Sequence, residues 1–123
     1  MGKEKEVIAV DIGGTNIRIA LVRGTKIINY IKKPTPMKKD AFLNEIFDSI
    51  EELMHKHVVG IGIGCPGPLL NGVVKNSPHI PIKNFDLKSA IKKRFRVRVE
   101  IENDAKCVAL SESKLGVRKK NFF

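Results

Sequence analysis

The sequence predicts an α/β protein: one mixed five-stranded sheet with helices packed on it. Three observations carry this. The hydrophobic period switches between two and 3.6 in the order βββαβαβα. Glycine- and acid-bearing segments fall at the ends of strands, where open α/β sheets place ligands. With 123 residues, 42% of them hydrophobic, the chain suits one domain with a real core.

The elements follow in order. Val7–Ile12 is β-branched and apolar, and Gly13-Gly14 breaks it. Ile17, Ile19 and Leu21 then alternate with Arg18, Ala20 and Val22, the pattern of a half-buried strand. Arg23-Gly24-Thr25 reads as a turn, and Lys26–Lys32 continues as a third strand, completing an antiparallel meander. Pro34-Thr-Pro36 punctuates the chain. From Lys38 to His57, Phe42, Leu43, Ile46, Phe47, Ile50, Leu53 and Met54 mark one apolar helix face. Val58–Cys65 is glycine-rich and apolar, as expected of a buried central strand beside the first. Pro66 to Pro81 holds four prolines and reads as a long structured loop. Leu87–Phe95 is a short helix that Asp86 is placed to cap. Val97, Val99 and Ile101 form the fifth strand, and Ala105–Leu115 a last helix stopped by Gly116.

Composition excludes several classes. No apolar run approaches the ~20 residues needed to span a bilayer. The start is charged and runs directly into a strand, so no signal peptide is expected and a cytoplasmic location follows. Cys65 and Cys107 are too few for a disulfide framework or a zinc site and are expected as buried thiols. His55 and His57, two apart on the expected helix, point different ways, and His79 is a lone loop histidine. Lys and Arg outnumber Asp and Glu by 23 to 13, which raises the question of nucleic acid. The basic runs lack interleaved aromatics, which disfavours that partner.

Three motifs carry candidate chemistry. Asp11-Ile-Gly-Gly-Thr15-Asn16 lies on a strand–turn–strand. Its glycines either serve the hairpin through positive φ or let a phosphate reach backbone N–H groups and the Thr15 hydroxyl, with Asp11 holding Mg²⁺. Gly62-Ile-Gly64-Cys-Pro-Gly67 fits a dinucleotide fingerprint in letters only, because Pro66 and Pro68 prevent the helix that such a site must open. Gly67-Pro68 is either a plain proline loop or a place where a ligand approaches backbone. Glu102-Asn103-Asp104-Ala105 joins the fifth strand to the last helix. Its Asn and Asp either cap that helix or offer a carboxylate to a substrate hydroxyl.

Taken together, Asp11-Ile-Gly-Gly-Thr-Asn-Ile-Arg18, Gly62-Ile-Gly-Cys-Pro-Gly-Pro68, Asn76-Ser-Pro78, Glu102-Asn-Asp-Ala105, Ala109-Leu-Ser-Glu112 and Leu115-Gly116 resemble the ROK family, glucokinase branch. The resemblance implies the ribonuclease H-like fold of an actin-like ATPase lobe. It implies that Asp11, Gly13, Gly14 and Thr15 form the first phosphate loop for ATP, with Asp11 serving Mg²⁺. Asp104 matches the catalytic base, Asn103 a side chain that binds sugar hydroxyls, and Gly67 and Pro68 the backbone wall of the sugar pocket.

The resemblance further implies ATP-dependent phosphorylation of a hexose, glucose first. Residues 1–115 would be the N-terminal lobe and 116–123 the start of the hinge into a C-terminal lobe that this chain lacks. The chain alone is accordingly expected to be inactive, with hexose, nucleotide and the C-terminal lobe as partners and no membrane. Homo-oligomerisation of the full-length protein stays open. A sugar-responsive ROK regulator is the alternative. Such a regulator would be expected to carry a helix-turn-helix ahead of the first strand, whereas six residues precede Val7 in this sequence, and Asp11, Thr15 and Asp104 are all present.

Overall fold

The structure, a computed structural model, describes residues 5–77 and 79–103. Asp104, Cys107, the helix expected over 105–115, its Gly116 stop and the boundary at residue 115 lie outside the described residues.

The main sheet has five strands: β1 (Glu6–Ile12), β2 (Asn16–Arg23), β3 (Lys26–Pro34), β4 (Val58–Gly64) and, last in the chain, β8 (Arg98–Glu102). Their order is β3-β2-β1-β4-β8, so the first strand is central and lies beside the fourth, as expected. β1 pairs antiparallel with β2 and parallel with β4, and β4 pairs parallel with β8. Period-two alternation puts Ile8, Val10, Ile12, Ile17, Ile19, Leu21, Ile61 and Ile63 in the core, joined there by Phe42, Ile46, Ile50 and Leu53 of helix α1 (Lys39–Leu53). β3 is exposed along most of its length, and Lys26, Lys32 and Lys33 are the charges expected on a sheet edge.

Helix α2 (Leu87–Phe95) has the bounds the sequence predicts. The Asp86 side chain accepts from the Ser89 amide at 3.0 Å, and Arg96 ends the helix in the left-handed region at φ 55°. α2 leans on α1 through Phe95 and Phe47, with ring centroids 6.4 Å apart, and through Arg94, which bonds Glu51 at 2.9 Å.

The segment Pro66–Pro81 departs from the expected loop. It contributes strands β5 (Leu69–Leu70) and β6 (Val73–Asn76), which with β7 (Lys83–Asp86) form a small antiparallel sheet. Asn71 and Gly72, both at positive φ, make the tight connection between β5 and β6.

The first helix also ends earlier than periodicity suggests. Met54 is extended, and the chain leaves the helix so that the His55 ring meets Glu6 of β1. His55 and His57 then sit edge to face at 5.5 Å, rather than pointing apart as a continued helix would require. Glu6 is buried and also accepts from Arg23 Nε at 2.7 Å. Burial alone would raise its pKa, but the hydrogen bonds and charges of Arg23 and His55 outweigh it and hold the carboxyl below its usual value. The carboxylate therefore contributes stability at neutral pH that is lost as pH falls through the lowered native value. Arg23 and His55 keep partial solvent access when Glu6 is removed, so Glu6→Gln is expected to cost about 1–3 kcal/mol at pH 7. In urea titrations the gap from wild type should close in acid, below the ordinary carboxylate range. A gap independent of pH would show that the ion cluster contributes nothing.

Candidate functional site

Strand register gathers the candidate residues at one edge. Asp11 stands opposite Arg18 on one side and Gly64 on the other, and Gly64 stands opposite Glu102. The three segments that follow Asp11, Gly64 and Glu102 therefore leave the sheet at its carboxyl end together. Open α/β sheets bind ligands at such an edge.

The turn after β1 is held from within and from outside. The Gly13 amide donates to the Asn16 carbonyl at 2.9 Å, so that N–H is spent on the turn and is not available to a phosphate. Thr35, read from the sequence only as punctuation, is a latch. Its hydroxyl donates to the Gly13 carbonyl at 2.6 Å and its amide to the Thr15 carbonyl at 2.8 Å. No other described residue engages the Gly14 amide, the Thr15 amide or the Thr15 hydroxyl, which remain as donors for a ligand.

Neither Gly13 nor Gly14 has positive φ, so the hairpin explanation of the pair does not hold. The glycines are required by space. A Cβ on Gly13 would stand 3.0 Å from the Asn16 carbonyl oxygen, and one on Gly14 would stand 2.8 Å from His79 Cβ. Asp11 is part-exposed, with the Arg18 guanidinium 3.6 Å from its carboxylate.

The second loop leaves β4 through Cys65, Pro66, Gly67 and Pro68. Gly67 has φ +89°, and a Cβ there would stand 3.1 Å from the Asn76 carbonyl oxygen and 3.1 Å from Ser77 Cβ. Asn103 closes the loop from β8. Its Nδ2 donates to the Cys65 carbonyl at 3.2 Å and also to the Gly67 carbonyl. Because both partners are acceptors, the amide is fixed with its NH₂ toward the loop, and Oδ1 is the atom left to accept from a ligand. The Cys65 amide donates to the Glu102 carbonyl at 2.9 Å, tying the same two segments once more. Cys65 itself is buried, and burial pushes its thiol up to about 12, so it packs as a neutral group.

Between the turn and the proline segment lies a depression of about 650 Å³ lined by Gly14, Thr15, Met37, His79, Ile80 and Pro81. It has the size of a small-molecule site. Among the described residues no group of three or more His, Cys, Asp or Glu could cage a metal ion. A single carboxylate beside a cleared glycine turn fits Mg²⁺, which keeps several waters and is shared with substrate phosphates. It does not fit a site made of protein ligands alone.

The structure thus brings Asp11, Gly13, Gly14, Thr15, Gly67, Pro68 and Asn103 to one edge, and Asp104 lies outside the described residues. Sequence reasoning missed Thr35 and did not connect His79 to the first turn. A threonine between two prolines is a usable signal for Thr35, because flanking Pro34 and Pro36 leave few local donors besides its own. The contact of His79 with Gly14 spans 65 positions of chain and has no local signature.

Comparison with known proteins shows the family and the fold. The ROK family profile matches residues 7–121. A glucokinase of Streptomyces coelicolor is 34% identical over 113 residues, covering 89% of this chain and 36% of that protein. A xylose repressor of Caldicellulosiruptor bescii is 31% identical over 121 residues, covering 89% of this chain and 30% of the repressor. Among solved structures, a ROK family glucokinase from Streptomyces griseus in complex with glucose and AMPPNP superposes with a TM-score of 0.74. Its identity is 29%, over 91% of this chain and 37% of that one. The chain spans about a third of the length of the curated relatives it matches. The fold is the actin-like ATPase arrangement of the ROK sugar kinases, and the chain belongs to the ROK family.

Proposed function

We propose that this chain supplies the small lobe of an ATP-dependent hexose kinase, with glucose as the first acceptor. The observation that carries this reading is the row Asp11, Gly64, Glu102, which hangs a phosphate-sized turn and a sugar-sized loop from one sheet edge. Residues 1–115 form the lobe, and 116–123 lead toward a second one that completes the cleft.

In this reading the Gly14 and Thr15 amides and the Thr15 hydroxyl receive the terminal phosphates of the nucleotide. Mg²⁺, held by Asp11 and those phosphates, supplies charge neutralisation when bound. Gly67 and Pro68 wall the sugar with backbone, and Asn103 Oδ1 accepts from one of its hydroxyls. Asp104 takes the proton of the attacking hydroxyl as its oxygen bonds to the γ-phosphorus and the bond to the nucleoside diphosphate breaks. Positioning and electrostatics carry most of the acceleration in such transfers, so the fixed loops matter as much as the base.

The similarity to a xylose repressor supports a second reading, a sugar-responsive regulator lobe without turnover. One assay separates the two. The 123-residue chain with MgATP and glucose should form no sugar phosphate above the buffer control. The protein extended through a second lobe should turn over at roughly 1–10³ s⁻¹. Sugar binding by the extended protein without turnover on any hexose favours the regulator. Full turnover by the short chain would overturn the need for a second lobe.

A further inference from the structure

We infer that His79 is a further donor to the anionic group received by the Gly13–Thr15 turn, a role that rests on the phosphate reading of that turn. The two segments are in direct contact. A Cβ placed on Gly14 would lie 2.8 Å from His79 Cβ and 3.5 Å from its Cγ, so the imidazole stands against the turn with only the glycine's missing side chain between them. His79 lines the same depression as Gly14 and Thr15 and is itself exposed, so its ring is accessible to a ligand there. No other described residue hydrogen-bonds either ring nitrogen.

The segment that carries it is well placed to hold a side chain still. Ser77 and Ile80 are buried on either side, and the Ile80 amide closes a turn onto the Ser77 carbonyl at 3.5 Å. The side chains of the neighbouring lining residues, Met37, Ile80 and Pro81, are apolar and carry no donor. The turn has its own amides and one hydroxyl to offer at the depression, and His79, directly beside Gly14, adds an imidazole to the same stretch of its lining. The ligand class this suits is a polyphosphate end, whose oxygens accept from several directions at once. Gly14 then has a second reason to be glycine: any side chain there would push His79 off the site.

The test uses inorganic tripolyphosphate as probe and the 123-residue chain, with affinity measured by calorimetry and folding by thermal melting. His79→Ala should weaken binding about ten-fold, as loss of a hydrogen bond to a charged group does. His79→Gln, which keeps an N–H donor, should recover most of that loss. Thr15→Ala should weaken binding as well. If Thr15→Ala weakens binding and His79→Ala does not, the inference on His79 is overturned while the phosphate turn stands. If wild type shows no saturable binding, both the turn's reading and the inference fail. A histidine that merely packs on Gly14 would shift the melting temperature of both His79 variants and leave their affinities equal, which also overturns the inference.

Discussion

Asp104→Ala, made in the protein extended through its second lobe, is expected to lower kcat by about three orders of magnitude or more, the upper part of the range for removing a general base. Sugar affinity should stay within roughly ten-fold, because the proposed acceptor contacts of Gly67, Pro68 and Asn103 are left unchanged. Asp104 lies outside the described residues, so the structure bears on the proposed role only through the residues that lead up to it. β8 ends at Glu102, in register with Gly64 and one strand removed from Asp11, and Asn103 is anchored to the carbonyls of Cys65 and Gly67. The last described residue before Asp104, Asn103, is therefore a fixed point beside the Cys65–Pro68 loop. Asn103 uses its NH₂ on that loop and keeps Oδ1, so both Asn103 Oδ1 and the Asp104 carboxylate have the acceptor a helix cap needs. Steady-state kinetics with glucose separate the outcomes: retained kcat with a lowered melting temperature would return Asp104 to a capping role.

Gly67→Val is expected to destabilise the chain by about 3 kcal/mol, the sum of strain at positive φ and overpacking against atoms that cannot retreat. The obstacles are the Asn76 carbonyl oxygen and Ser77 Cβ and Cα, at 3.1, 3.1 and 3.2 Å from the new Cβ. At about 120 residues this corresponds to a fall in Tm of roughly 10 °C. Because β5 and β6 follow directly, the damage should spread to the small sheet, while the turn after β1 keeps its latch to Thr35. Hydrogen exchange should therefore show lost protection in residues 66–77 and retained protection in β1 and β2. Uniform loss across both regions would mean that Gly67 supports the whole fold and not only the Cys65–Pro68 loop and the small sheet.

Part of the fold and of the candidate site is legible in the sequence. The meander, the apolar face of α1 and the whole of α2 follow from local periodicity and from Asp86, whose side chain needs only the amide three residues on. The small sheet does not, because strands of two and four residues cannot display a period and the prolines around them read as loop. Beyond the end of α1, His55 meets Glu6, 49 positions away, a contact that no local signal records. Gly13 and Gly14 are legible as special, but their reason is not: the backbone has ordinary φ, and what excludes a side chain is Asn16 and His79. Likewise Asp11 and Asn103 can be picked out by type. Their convergence on one edge depends on the parallel register through Gly64, a long-range property that spacing along the chain does not encode.

The latch of Thr35 and the clamp of Asn103 have a thermodynamic consequence. A glycine-rich turn left loose would have to be ordered each time a ligand arrived, at about 1–2 kcal/mol for every residue frozen. Here the turn is ordered when the strands form, because the bonds from Thr35 are made without any ligand. The entropy loss is moved from the binding step to the folding step, so ligand contacts at this edge are realised as affinity or rate and not consumed in ordering the receptor. Loosening either tie should therefore appear first as a less favourable binding entropy, before any change in the shape of the site.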